Sequence, residues 1–393
     1  MSDWPTCSVA DSFIATKAGR LHQIPTKDIS PSGKYPVIDQ GQDFISGYCD
    51  DDEKVIDFDL PLIIFGDHTR CLKFVDFPFV LGADGTKVLA PDRKLHDPKF
   101  YYYALLALDI PSRGYNRHFK VLKEREIPIP PLPEQKAIAH TLSTVQRAIT
   151  AQERIIHTTT ELKKTLMQKL FTEGLRGEPQ KETEIGLVPE CWDLCTVGDV
   201  AMIQSGGTPS RENPENWDGG TIPWVKTGEI NYYTITDTEE KITPISLANS
   251  SAKVFPKGTL LMAMYGQGIT RGRVGLLGIE AATNQACAAI IPLDPQKLST
   301  QFLYFFLEHN YERLRQLGHG ANQKNMSATL IRAFPLTLPC QHEQEEISAA
   351  LSALDNKLMN HRKKLATNYA LFRSLLHELM TAKARVNKAV LAL

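Results

Sequence analysis

The chain has 393 residues, with 44 Lys and Arg against 45 Asp and Glu for a net charge of −1. At roughly 100–200 residues per domain this is more than one small domain, and the near-neutral balance excludes a protein that coats nucleic acid by bulk charge. Hydrophobic residues at 42% and charged residues at 23% exclude a disordered chain.

No stretch reads as membrane-spanning or secretory: Phe100 to Ile110 is too short to cross a bilayer, and Met1 to Ala10 lacks a basic segment followed by an apolar one. The seven cysteines are odd in number and scattered, with only Cys191 and Cys195 close together, which predicts reduced thiols in a cytoplasm. Along the chain, Trp4-x-x-Cys7-x-Val9-x-Asp11 comes first, followed by β-forming runs at Tyr35–Ile38 and Leu60–Phe65 between Gly/Asp-rich turns. Asp97-Pro98 is an N-cap with Pro at N1, so Phe100–Leu108 is predicted as a short helix whose aromatics pack on the strands. The proline-rich run Ile127–Pro133 then closes this part, because proline continues neither a helix nor a central strand.

The same frame returns. Trp192-x-x-Cys195-x-Val197-x-Asp199 repeats the first motif 188 residues on, Phe302-x-Tyr304-Phe305-x-Leu307 repeats Phe100-x-Tyr102-Tyr103-x-Leu105 at an offset of 202, and Glu343-Gln344 repeats Glu134-Gln135 at 209. The second copy is therefore longer, and its middle is unlike the first in sequence. It carries predicted strands at Thr259–Met264 and Ala288–Pro292, a helix over Phe302–Leu314 capped by Ser299 or Thr300, and a second proline-rich run at Phe334–Pro339.

Each copy ends in a heptad stripe. In the second, Ile347, Leu351, Leu354, Leu358, Leu365, Phe372 and Leu379 recur at steps of four, three or seven. Subtracting 209 gives Ile138, Leu142, Val145, Ile149, Ile156, Lys163 and Leu170, so only Lys163 departs, with Leu162 and Leu166 beside it to continue the stripe. Gly174, Gly177 and Pro179 end the first helix. A lone stripe is more often one face of an ordinary bundle; two matched stripes bury each other by pairing, and a pseudo-twofold relation makes the pairing antiparallel. The predicted fold is α+β: two mixed α/β domains in tandem repeat, separated by two long antiparallel coiled-coil helices, with domains at 1–130 and 179–337 and helices at 131–178 and 338–385.

The chain carries no phosphate-binding glycine loop, no dinucleotide fingerprint and no zinc-ligand spacing, so it has no evident catalytic engine. Four loops instead combine open backbone with guanidinium, amide and imidazole groups, the residue types that reach phosphates and base edges. The first copy offers His68 and Arg70, then Arg113, Asn116 and Arg117; the second offers Gln267, Thr270, Arg271 and Arg273, then Asn322, Gln323 and Lys324. Any one of these alone reads as a solvated surface loop. Four at comparable places in two repeats point to double-stranded DNA.

Several segments make the sequence recognisable. Ser205-Gly-Gly-Thr-Pro-Ser210, Trp217-x-Gly-Gly-x-Ile-Pro-Trp224, Gly268-Ile-Thr-Arg-Gly272, Ala282-Thr-Asn-Gln-Ala286, Leu81-Gly-Ala-Asp-Gly-Thr-Lys87 and Pro131-Leu-Pro-Glu-Gln135 together resemble the specificity subunit of type I restriction–modification systems, over essentially the whole chain. The second helix start, Leu338-Pro-Cys-Gln-His-Glu-Gln344, departs from that pattern. The resemblance implies a non-catalytic reader whose two domains each recognise half of a split DNA site. Two methyltransferase subunits and restriction/translocase subunits would be its partners, and these would bind S-adenosylmethionine, ATP and Mg²⁺, leaving no cofactor in this chain. Met167, Phe171, Leu376 and Met380 are then either partner contacts or self-packing residues. A tandem coiled-coil scaffold that merely spaces protein partners is the alternative.

Overall fold

The structure, a computed structural model, describes residues 4–82, 85–112, 114, 116–266, 269–317 and 326–386. In the first repeat the strands are β1 (Thr6–Ser8), β2 (Phe13–Ile14), β3 (Gln23–Ile24), β4 (Tyr35–Ile38), β5 (Gly47–Cys49), β6 (Leu62–Gly66), β7 (Leu72–Val75), β8 (Val80–Gly82) and β9 (Thr86–Pro91). They are followed by helices α1 (Pro98–Leu106) and α2 (Phe119–Lys123), strand β10 (Glu126–Pro128) and the 42-residue helix α3 (Leu132–Glu173). Two four-stranded sheets form, in the orders β2-β9-β6-β7 and β3-β8-β4-β5, while β1 and β10 close the repeat as an antiparallel pair. The proline-rich run thus becomes a strand only in a two-stranded ladder, where missing N–H donors are tolerated.

The second repeat begins with the hairpin β11 (Gln180–Thr183) and β12 (Gly186–Pro189), then β13 (Asp193–Thr196), α4 (Val197–Val200), β14 (Ala201–Ser205), β15 (Ile222–Val225), β16 (Thr234–Ile235) and β17 (Glu240–Ile242). Helix α5 (Pro244–Ala248) precedes β18 (Val254–Phe255), β19 (Leu260–Ala263), β20 (Val274–Leu277), β21 (Ala281–Thr283) and β22 (Cys287–Pro292). Helices α6 (Thr300–His309), α7 (Tyr311–Gln316) and α8 (Ala328–Arg332), strand β23 (Pro335–Leu338) and the 40-residue helix α9 (Gln341–Met380) complete it. Its sheets run β14-β22-β19-β20-β16 and β18-β21-β15-β17, and β13 pairs with β23. Divergent in sequence, the two middles share a strand framework, β2-β9-β6-β7 matching β14-β22-β19-β20 and β8-β4-β5 matching β21-β15-β17, to which the second repeat adds β16 parallel to β20. In each a parallel pair, β4 with β8 or β15 with β21, lies at the centre of the second sheet. The edge differs: β3 runs parallel to β8, whereas β18 runs antiparallel to β21.

The central strands explain the architecture. In β6, Ile63 and Phe65 face the core under α1 while Leu62 and Ile64 face the core toward the other sheet. In β19, Leu260 and Met262 face α6, and Leu261 and Ala263 face the opposite core. Both faces are buried, so these strands read as unbroken apolar runs. Asp97 caps α1 through the N–H groups of Lys99 and Phe100, and Ser299 caps α6 through that of Phe302. The helix expected over Phe302–Leu314 is interrupted at Asn310, whose backbone and side-chain amides both donate to the Phe306 carbonyl, ending α6 before α7 begins.

The chain divides into two compact units, residues 1–154 with 362–393 and residues 155–361, so that the division falls inside both long helices. In the first unit Ile138, Leu142, Val145 and Ile149 of α3 share one apolar cluster with Leu365, Phe372 and Leu379 of α9. There Glu134, near the start of α3, meets Arg385, five residues past the end of α9, at 2.8 Å, and Glu153 accepts from the Tyr369 hydroxyl of α9 at 2.5 Å, so the partner falls in number as the α3 residue rises: the pairing is antiparallel. In the second unit Leu170 shares a cluster with Ile347 and Leu351, and Leu358 is buried, with Leu354 and Ile156 half-buried. Met167, Phe171 and Met380 are buried in these cores and Leu376 packs against one, so they serve self-packing. Lys163, the break in the stripe, is also buried.

Candidate DNA interface

In the first unit the turn between β6 and β7 is held from several sides. The Asp67 side chain is buried; its Oδ1 accepts from the Phe119 N–H at 2.8 Å, and its carbonyl accepts from the His118 N–H at 2.8 Å. Gln40 braces the same turn, its Oε1 accepting from the His68 N–H at 3.2 Å and its carbonyl from the Thr69 hydroxyl at 2.5 Å. Gly85, at φ +74°, leaves room for the Gln40 amide, which a Cβ would meet at 2.5 Å. Arg70 adopts φ +63° and donates from its guanidinium to the Ile110 carbonyl at 2.8 Å. The two predicted loops of this copy are thus brought together. Asn116 and Arg117 lie exposed on the segment that His118 ties to Asp67, with His68 half-buried and Arg70 exposed beside them. Arg113 lies outside the described residues.

The second unit repeats the arrangement with other residues. The turn between β19 and β20 meets α7: the Arg271 guanidinium donates to the Arg315 carbonyl at 2.9 Å, and the Tyr311 hydroxyl donates to the Ile269 carbonyl. Gly272, at φ +87°, sits where a Cβ would touch the Tyr311 ring and the Arg315 stem. Thr270 and Arg273 are half-buried, and the Arg273 Nε, enclosed, has no hydrogen-bond partner. Gln267, Asn322, Gln323 and Lys324 lie outside the described residues. In both units, then, the turn after the central strand docks on the segment after the aromatic helix.

The family-like motifs do different work. A Cβ on Gly206 would fall 2.1 Å from the Thr283 carbonyl, so that glycine permits a close backbone crossing. Trp224 Nε1 donates to the Gly207 carbonyl at 3.0 Å, and the Arg211 guanidinium lies 3.7 Å from the Trp217 ring centre while pairing with Glu240 at 2.5 Å. These residues hold the domain together. Gln40, Tyr311 and Arg315, which shape the candidate loops, stand 28 or more residues from what they hold, and no local signal in the sequence marks them.

Residues 1–158 and 189–368 match the family described as type I restriction modification DNA specificity domain. The putative type I restriction enzyme MjaX specificity subunit of Methanocaldococcus jannaschii is 26% identical over 322 residues, 78% of this chain and 73% of that protein. The EcoR124I/EcoR124II specificity subunit of Escherichia coli is 22% identical over 341 residues, 84% and 82% of the two chains. The MjaIX specificity subunit of M. jannaschii is 29% identical over 204 residues, half of this chain and 45% of that one. In fold, the chain is similar to the crystal structure of a type I restriction–modification S subunit from M. genitalium, with a TM-score of 0.69, 20% identity and 96% of each chain covered.

Proposed function

The chain belongs to the type I restriction–modification DNA specificity family, and from that premise we propose that its two domains each read one half of a split DNA site through the paired loops. As a specificity subunit it recognises DNA and is not itself catalytic. The observation that carries the site is the correspondence between units: the turn holding His68 and Arg70 docks beside Asn116 and Arg117, as the turn holding Thr270, Arg271 and Arg273 docks on α7. Charged and amide groups on braced loops suit base and phosphate contacts, since side chains held in place lose little freedom on binding. A scaffold that only spaces protein partners is not favoured by the family match.

Methylation and restriction would fall to partner subunits, which would bind S-adenosylmethionine, ATP and Mg²⁺ and extrude the target adenine. Two methyltransferase subunits fit the repeat. Leu162 and Leu371, 209 residues apart, are 53% and 46% exposed, so a partner that grips one finds the same side chain at the matched place in the other unit. We place this assembly in the cytoplasm; no described helix is long and apolar enough to cross a membrane. Sequencing methylated adenines in DNA from cells carrying this chain and its partner tests the reading. A bipartite motif with a fixed spacer is expected, and a continuous motif, or none, would overturn it.

A further inference from the structure

Lys163 interrupts the apolar seam with a buried charge. Its side chain is 8% exposed, and Nζ lies 2.7 and 2.8 Å from the two carboxylate oxygens of Glu308 on α6 and 2.7 Å from Oδ1 of Asp355 on α9. The ammonium also sits 5.2 Å from the centre of the Phe305 ring. Burial pushes the Glu308 carboxyl up against the pull of Lys163. One cation thus joins α3, α9 and the helix of the second domain.

The first unit makes the same joint without charge. Phe372 stands 209 residues after Lys163, and Tyr103 stands 202 before Phe305, the offsets that relate the two copies. Phe372 meets Tyr103 edge-on at 6.0 Å, the counterpart of Lys163 over Phe305. At the same offsets Leu106 replaces Glu308 and Gln146 replaces Asp355; Leu106 packs against the apolar core there.

We propose that Lys163, Glu308 and Asp355 are positioning residues that form a charge key, making this end of the paired helices a seat matched to a recognition domain that brings Glu308. A buried carboxylate is tolerated where a cation meets it and is costly where an aromatic ring does. The second domain brings Glu308 and so fits only the end that carries Lys163. The first domain presents Leu106 and leaves the Lys163–Asp355 end without its second carboxylate. A polar residue within a heptad seam commonly selects pairing in this way.

The test uses full-length chains and thermal unfolding, so it stands apart from DNA reading, which methylation mapping of the natural chain examines. In the natural chain Lys163→Phe should lower the melting temperature by roughly 5–15 °C, and adding Glu308→Leu and Asp355→Gln should restore most of it. In a chain with residues 186–337 also replacing 1–130, Phe372→Lys with Gln146→Asp should raise the melting temperature, while the same pair lowers it in the natural chain. A doubled chain that gains nothing from the transplanted key, or a Lys163→Phe chain as stable as the parent, would overturn the proposal.

Discussion

Gln135 and Gln344 make the same three hydrogen bonds in the two units. Each is fully buried at the start of its long helix. Gln135 accepts from the Asp97 N–H at 2.8 Å and donates to the carbonyls of Leu95 and Pro130, both at 2.8 Å. Gln344 accepts from the Ser299 N–H at 2.8 Å and donates to Lys297 and Pro339, both at 2.9 Å. In each copy one amide ties the N-cap of the aromatic helix to the segment that launches the coiled-coil helix, and that joint fixes the domain on the helix.

Replacing either glutamine by leucine takes the partner from one N–H and two carbonyls, and the bond lost to the Pro130 or Pro339 carbonyl is fully buried. Gln135→Leu and Gln344→Leu should each destabilise the chain by about 2–4 kcal/mol, given roughly 1–3 kcal/mol for a buried polar group left unsatisfied. Denaturant unfolding measures it, with the loss confined to the unit that carries the substitution.

His309 is stacked on Phe171 at 5.1 Å between ring centres, and burial, helped by Arg313, holds its pKa down to about 4. The folded state therefore keeps the imidazole neutral while the unfolded chain takes up a proton below about 6.5. Stability is present in full above that value and is lost as pH falls from 6.5 toward 4, by roughly 3 kcal/mol at the lower end. His309→Phe should flatten this acid limb in melting temperatures measured between pH 4 and 7.

The repeat was legible because short motifs recur in the same order some 200 residues on, and the heptad stripes and the caps Asp97 and Ser299 because each is written in residues a few positions apart. The strand framework common to the two middles was not: strand order depends on pairings such as Ile63 with Leu89 and Leu261 with Ala289, which alternation alone leaves unspecified. Lys163 looked like a fault in the stripe because its partners lie 145 and 192 residues away. The loops carrying Arg70 and Arg271 were visible as polar segments, but their bracing by Gln40 and Tyr311 emerges only once the chain is folded.

The loop arginines make separable predictions. Arg271→Ala with Arg273→Ala should weaken binding to the second half-site, and Arg70→Ala with Arg117→Ala to the first. A lost base contact should weaken binding by roughly 1–3 kcal/mol and relax choice at one position, whereas a lost phosphate contact should lower affinity uniformly and reduce the salt slope by about 1. Titrations at several salt concentrations, on sites altered in one half at a time, distinguish the two. Unchanged affinity and specificity in both double variants would move the reading surface off these loops.

The length of the paired helices should set the unread spacer of the DNA site. Helices α3 and α9 run without a break through Arg154–Ile155 and His361–Arg362, where the chain passes from one unit to the other. An insertion past Phe171 would leave the spacer alone, because Lys163, Met167, Leu170 and Phe171 already seat α3 in the second unit. Four helical residues inserted at both crossing points should lengthen the pair by about 6 Å and turn it by about 40° beyond one revolution, at 1.5 Å and 3.6 residues per turn. One or two base pairs advance B-DNA by about 3.4–7 Å and turn it by about 35–70°, in the same right-handed sense. Rise and rotation therefore match together, and the methylated motif should keep both half-sequences with a spacer longer by one or two base pairs. Active complex that methylates the original spacing would show that something other than these helices measures the distance.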